Sequence, residues 1–252
     1  MQFLLDDITI DLRGQRWLFD QIPLDTNQLP LRPILFGGDD ATFIADGRIG
    51  LRLAENYLRA VSSAPLSDNK NLYSRAGVAI VKVHYPFSRA YRLTEQLAAS
   101  SKAFINEFLQ KAEEKNKQIG GVNALDWQIA ISGQVRDLDE IRETEYSINQ
   151  GNLTMRPVYI GDTIQGLDPM HWRSWNTLLE IIQGFDSWQD SHNKIKELRA
   201  MLVKDEHAVK NFLVLNDREL PSVTGLTSAQ KSGWYMNRCV YYDAVELMDL
   251  LV

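Results

Sequence analysis

Residues 33–47, PILFGGDDATFIADG, limit the possible folds more than any other stretch of the chain. Two apolar runs separated by a short glycine-containing turn predict a β-hairpin. Asp39 and Asp40 stand side by side at its tip, where their charges repel and alternate strand positions face opposite ways. Because a solvated turn does not need apolar residues on both flanks, we expect the hairpin to lie in the middle of a buried sheet.

Carboxylates at such a tip suit a divalent cation. Magnesium prefers oxygen ligands and often takes only one or two protein carboxylates together with substrate phosphates. Gly37 and Gly38 leave no side chain in the path of a nucleotide and permit unusual backbone angles. The pattern therefore predicts a metal-dependent phosphoryl-transfer hairpin. Gly-Gly-Asp-Asp also forms a type I′ turn with solvated acids, and the apolar flanks favour the catalytic interpretation.

The rest of the chain divides into two parts. Residues 1–165 alternate predicted strands and helices around the hairpin, and residues 166–252 are helical in period, which predicts an α+β sheet domain followed by a helical region. AGVAIVKV reads as a buried central strand because it is almost continuously apolar. The remaining predicted strands are LRPILF, ATFIADG, DWQIAIS and LTMRPVYIG, and the predicted helices include GLRLAENYLRAV, a long helix after Pro86, and DLDEIRETEY.

Composition excludes several classes of protein. The chain has 252 residues, of which 44% are hydrophobic and 24% charged, and a net charge of −6. This charge argues against wrapping of a nucleic-acid duplex. The single cysteine, Cys239, rules out an internal disulfide and a multi-cysteine zinc site. The N-terminal MQFLLDDITIDLRG is acidic and alternating, unlike a signal or transit peptide. No apolar run reaches the ~18 residues of a membrane span, so we expect a cytoplasmic protein.

Four segments occur in an order that resembles a known family. They are LRPILFGGDDATFIADGRIGLRLAENYLRA, AGVAIVKVHYPFSRAYRLTEQLAASSKAF, ALDWQIAISG and LTMRPVYIG. Together they resemble the second palm domain of the large polymerase-like subunit of type III CRISPR effector complexes, as found in stand-alone bacterial palm-domain proteins. The resemblance covers about residues 29–160 and, more weakly, the tail YYDAVELMDLL. The palm of the GGDEF diguanylate cyclases is more distantly similar.

The resemblance implies a fold, a reaction and site residues. The fold would be a ferredoxin-like palm, and the reaction would join ATP into cyclic oligonucleotides with Mg²⁺ or Mn²⁺ as a second messenger in antiviral defence. Asp39 and Asp40 match the family's metal-binding pair. Gly37 and Gly38 match its nucleotide-facing glycines, and Lys102 matches a lysine that contacts the triphosphate. Lysine suits that role as a compact positive charge; a solvated helix residue is the alternative at this position.

Several further polar residues have two interpretations. His84 and Tyr85 match the family's HYP turn, where framing the helix start is favoured over contact with nucleotide. Arg32 and Arg156 either hold phosphates or form ion pairs at strand ends. Packing inside the helical region is favoured over base stacking for three tryptophans, Trp172, Trp175 and Trp188. The acids of DLDEIRETE are better explained as a helix start than as a metal cluster.

The chain departs from the palm pattern at its beginning. A palm opens with a strand that ends in another metal-binding aspartate, followed by two helices. The segment before residue 31 has no room for these elements, and Pro23 and Pro30 break helices. Asp6 and Asp7 could stand in for the absent acids, but the spacing of about 32 positions to Asp39 is too short for two helices.

We therefore expect that the first palm segment is absent from this sequence, which would be a truncated frame, a fragment or one half of a split protein. Such a palm exposes a sheet edge and apolar surface. Two outcomes follow for its partners: another chain supplies the segment, or the chain self-associates. Whether this chain alone is an enzyme is left open. The alternative function is a non-catalytic palm that binds nucleotide or scaffolds partners.

Overall fold

The computed structural model describes residues 8–11, 15–19, 22–24, 30–37, 39–64, 71–130, 136–161, 164, 167 and 170–251, with the backbone alone at 189–192, 249 and 251. These residues form helices together with antiparallel and mixed sheets, so the protein belongs to the α+β class, as predicted. Within the described chain no helix is long and apolar enough to cross a membrane.

The described strands form four separate sheets. Their orders are β1-β2-β3, β10-β7-β6, β11-β12-β9-β8 and β4-β5. The strands are β1 (Ile8–Ile10), β2 (Arg16–Leu18), β3 (Ile22–Leu24), β4 (Leu31–Gly37), β5 (Asp40–Ala45), β6 (Arg75–Val81), β7 (Ala124–Ala130), β8 (Ser147–Ile148), β9 (Gly151–Asn152), β10 (Val158–Tyr159), β11 (Trp234–Tyr235) and β12 (Arg238–Cys239).

The helices follow the predicted apolar periodicity. They are α1 (Gly50–Ser63), α2 (Phe87–Glu114), α3 (Leu138–Glu145), α4 (Trp175–Gly184), α5 (His192–Leu202), α6 (Glu206–Leu215) and α7 (Tyr242–Leu251), with short 3₁₀ turns at Phe185–Ser191 and Ala229–Lys231. The α2 helix begins directly after Pro86, whose fixed φ suits a helix start. It buries Leu93, Leu97, Phe104 and Phe108, which recur at helical spacing along one face.

Strands β6 and β7, with α2 between them in the chain, form a parallel β-α-β unit. They pair in parallel from Arg75–Ala124 to Val81–Ala130, and α2 crosses between them. The sequence predicted β6 as a buried central strand, and this was wrong. Its side chains are half-buried or exposed, and β7 is its single partner among the described strands. In β6 a continuous apolar run accompanies only partial burial, and such a run gives no information about a neighbouring strand on each edge.

The predicted strand LTMRPVYIG is also shorter than expected. Only Val158–Tyr159 and, just before it, Gly151–Asn152 are strands. The backbone N–H groups of Met155 and Arg156 donate instead to one carboxylate oxygen of Asp243, at 2.8 and 2.9 Å. A side-chain acceptor from α7 thus replaces the ladder partner that this segment would need as a strand.

One core crosses the predicted domain boundary. The largest cluster of buried side chains combines residues from α1 and β7 with residues from α4 to α7. Trp127 of β7 meets Trp175 of α4 edge to face, with ring centroids 6.3 Å apart. The sheet and the helical region are therefore packed together through aromatic residues, while the division at residue 165 stays a prediction.

Candidate functional site

The predicted hairpin is present. Strands β4 and β5 pair antiparallel from Leu31–Ala45 to Gly37–Asp40, with an irregularity between Pro33 and Leu35. Asp39 lies in the turn and Asp40 begins β5; both are exposed. A Cβ at Gly37 would meet no atom within 4 Å, so the approach to the tip is open there. Gly38 lies outside the described residues.

The position of the hairpin differs from the prediction. It was expected in the middle of a buried sheet, but β4 and β5 form a two-stranded ribbon of their own. The apolar flank of β4 is uncovered, with Ile34 44%, Leu35 45% and Phe36 70% exposed. The reason is that no described strand pairs with the outer edge of either hairpin strand. The apolar residues that flank the turn on β4 are therefore exposed, although such residues are typical of buried strands.

Helix α1 connects the hairpin to the β6–β7 sheet. Ala45 of β5 packs in one cluster with Ile49 and Leu53 near the start of α1. Farther along the helix, the Tyr57 ring meets the Phe43 ring edge on at 6.2 Å. Strand β5 therefore runs antiparallel to α1, and the hairpin tip points toward the carboxyl end of this helix.

Strand β6 runs the same way along a neighbouring face of α1. A Cβ at Gly47, just before α1, would lie 3.5 Å from Ile80, late in β6. A Cβ at Gly50 would lie 3.5 Å from Val78, at the middle of the strand. At the other end, the Asn123 side chain donates to the Leu58 carbonyl at 3.2 Å and accepts from the Ser74 N–H at 2.7 Å, just before β6 begins. Strands β5 and β6 are thus parallel neighbours over one helix, without hydrogen bonds between them.

Lys102 lies halfway along α2 and is exposed. It lines a groove of about 250 Å³ at the end of the molecule where β6 begins. The hairpin tip points toward the same end. The other lining residues are Tyr73, Ser74, Arg75, Ile105, Leu109, Gly120, Gly121 and Val122. Sequence reasoning missed Tyr73 and Arg75, whose only signal was their position just before an apolar strand.

Asp39 and Asp40 are the described residues suited to hold a metal at the tip. Their exposed oxygens fit a hard cation such as magnesium. Within the described chain no group of three or more His, Cys, Asp or Glu side chains could hold a metal ion. Asp6 and Asp7, the alternative acids, lie outside the described residues. Among the described residues, the pair therefore supplies at most part of a coordination sphere.

The structure resolves two of the polar alternatives. Arg156 is completely buried, and its Nη1 lies 2.7 Å from Glu246 and 3.2 Å from Asp243, so it forms ion pairs rather than a phosphate site. Burial acts to lower the pKa of Arg156, but the two carboxylates outweigh it and the pKa is raised. Burial raises the pKa of Asp243. Arg32 is exposed on β4. Trp172, Trp175 and Trp188 are buried, which confirms the packing interpretation.

The HYP turn and the acidic segment have structural roles. The Tyr85 N–H donates to the Lys82 carbonyl at 2.9 Å in the turn that leads into α2, and His84 is exposed. At the start of α3, the Gln96 side chain donates to Asp137 at 3.0 Å and accepts from the Leu138 N–H at 3.1 Å. The acidic segment is therefore a helix start tied to α2, as the sequence favoured.

No family model matches the chain, and no curated protein matches it significantly.

Proposed function

We propose that the protein is a palm-like nucleotidyltransferase module that uses ATP and Mg²⁺ or Mn²⁺ to make cyclic oligonucleotides, in the antiviral setting that its sequence resemblance implies. One observation carries the proposal. The tip that bears Asp39 and Asp40 and the groove that contains Lys102 lie at the same end of the molecule. A triphosphate site needs carboxylates that bind the metal cations and a positively charged side chain that binds the phosphates.

Each side chain has a distinct task in this proposal. Asp39 and Asp40 hold the divalent cations, which when bound supply charge neutralisation for an attacking hydroxyl and a departing pyrophosphate. Lys102 holds the triphosphate by its ammonium group, which keeps the leaving phosphates oriented. The attacking hydroxyl belongs to a second nucleotide; its oxygen bonds to the α-phosphorus, pyrophosphate leaves, and the hydroxyl proton passes to solvent.

A partner strand completes the sheet in the same proposal. Strands β5 and β6 both pack along α1 and run in one direction, and each has one edge without a hydrogen-bonded partner among the described strands. Between them, α1 presents Ala54, Tyr57 and Val61, which are apolar and only half-buried. A strand antiparallel to both would pair with both edges and cover this stripe. Because it would run toward the hairpin tip, its last residues would lie beside Asp39.

Removal of the paired carboxylates tests the reaction. We expect Asp39→Ala with Asp40→Ala to abolish ATP turnover while leaving the fold intact, because both side chains are exposed and substitutions there change stability by about 0.5 kcal/mol or less. Turnover is followed by chromatography of cyclic products, for the chain alone and co-expressed with the coding sequence upstream of it. Asp139→Ala with Glu140→Ala, which removes two exposed neighbouring acids elsewhere, is the matched control. Unchanged turnover in the tip variant would count decisively against the proposal.

A non-catalytic palm that binds nucleotide is the second candidate. It is favoured by the small number of carboxylates at the tip, since the described residues provide only a pair. The sequence immediately upstream distinguishes the two candidates. An in-frame Asp-Gly-Asn or Asp-x-Asp after an apolar strand supports the enzyme, and its absence supports the binding module.

A further inference from the structure

The groove beside Lys102 contains a second cation, Arg75. Arg75 is the first residue of β6, and like Lys102 it is exposed. Within the described part of the chain, neither side chain has a carboxylate within ion-pair distance, and no acidic residue lines the groove. Two unpaired cations facing one concave surface attract an anion, because their repulsion is relieved only by negative charge.

The walls of the groove are built by close packing. A Cβ at Gly121 would lie 2.6 Å from Cε2 of Tyr73, so glycine at this position lets the tyrosine ring rest against the 120–121 loop. Ile105 and Leu109 of α2 form the apolar side. The volume of about 250 Å³ is below the about 300–1,000 Å³ of pockets that enclose a whole small molecule. The groove therefore suits one part of a ligand.

We propose that Arg75 and Lys102 together bind the phosphate chain of a nucleoside triphosphate, with Tyr73 as the adjoining wall. This inference rests on the proposed function in that the same nucleotide would reach the hairpin tip. Arg75 supplies a planar guanidinium that can bind two phosphate oxygens at once, and Lys102 supplies a point charge. Arg75 is thus assigned as a binding residue that the sequence alone did not indicate.

Inorganic tripolyphosphate is the probe. The buffer contains EDTA, which removes divalent cations, so that the carboxylates of the hairpin cannot bind the probe through a metal ion. Isothermal titration of the full chain should show binding that weakens with added salt, as for exposed charges. Arg75→Ala and Lys102→Ala should each weaken binding about tenfold or more, and the double variant should abolish it. Arg89→Ala and Lys82→Ala, which remove exposed cations near the opposite end of β6 and α2, are the matched controls and should bind normally.

Gly121→Ala provides an independent check, because it keeps both cations and displaces the Tyr73 ring; with an unchanged circular dichroism spectrum it should also weaken binding. Failure of wild-type chain to bind tripolyphosphate, or equal binding by Arg75→Ala, would overturn the assignment. The two proposals fail separately. If the Asp39 and Asp40 variant keeps its turnover while the groove variants lose tripolyphosphate, the hairpin chemistry is wrong and the groove assignment holds.

Discussion

At the scale of single residues, burial decides what a polar side chain does. Asp39 is exposed at a turn, where we propose that it binds a cation. Asp243 is completely buried in α7 and accepts two backbone N–H groups while facing Arg156. The sequence singled out the first because glycines and apolar runs surround it. Nothing in YYDAVELMDLL distinguished the second, since its partners lie almost ninety positions away.

Cys239 gives a pH-dependence that can be measured. Burial raises the pKa of its thiol from 9.0 to about 12. The folded state therefore retains a proton that the unfolded state releases above pH 9, and the stabilising contribution present below pH 9 is lost as pH rises toward 12. The free energy of unfolding should fall by up to about 1.4 kcal/mol per pH unit from this group.

The measurement is urea unfolding in reducing buffer at several values between pH 8 and pH 10.5, compared with Cys239→Ala. Tyrosines with raised pKa values contribute to both proteins, so the difference between the two slopes isolates the thiol. Equal slopes for the two proteins would show that the thiol is not shielded in the folded state.

At the scale of elements, the sequence predicted local structure well and pairing poorly. The β4–β5 hairpin, α1 and α2 follow from turn chemistry and apolar periodicity, which act between residues close in the chain. The edge position of β6 and the isolation of the hairpin were not predicted, because both depend on which strand lies beside them. The groove was missed for the same reason: Arg75 and Lys102 are distant in sequence and meet through the packing of α2 on β6.

Gly77 sets how closely α2 packs on β6. A Cβ there would lie 2.6 Å from the Ala98 nitrogen and 2.7 Å from Leu97 Cβ, and it would also meet the Thr94 carbonyl. Because these neighbours are mainly backbone, Gly77→Ala should force the helix away and lower the free energy of unfolding by about 1–3 kcal/mol. Gly37→Ala is the control, since its Cβ would enter open space. Urea unfolding measures both, and a Gly77 variant as stable as wild type would contradict this packing.

At the scale of the whole molecule, the chain has an extensive core and a hairpin that lies largely outside it. Buried residues of the sheet and of the C-terminal helices share one cluster. The hairpin, by contrast, extends from α1 with uncovered apolar residues on β4. Uncovered apolar surface was expected from the interpretation of the chain as a palm without its first segment, and that interpretation stays a prediction. The sequence did not show that β5 and β6 run in the same direction, because only the packing of both strands along α1 reveals this.

Removing residues 166–252 should therefore prevent residues 1–165 from folding. Trp127 would lose Trp175, and Arg156 would remain buried without either of its carboxylate partners, a loss that costs about 3–5 kcal/mol for a buried pair. Since whole domains are stable by only about 5–15 kcal/mol, the broken ion pairs alone remove a large part of that stability, and the main core, which the helices α4 to α7 share, is lost in addition. We expect no near-ultraviolet circular dichroism and no cooperative urea transition for fragment 1–165, with both restored by co-expression of 166–252.

A fragment comprising residues 30–252 is the control: it loses β1 to β3, which pack mainly on Ile49 and Leu53, and keeps the main core. Cooperative unfolding of fragment 1–165 alone would show that the sheet has a core of its own and that the predicted boundary separates two independently stable units.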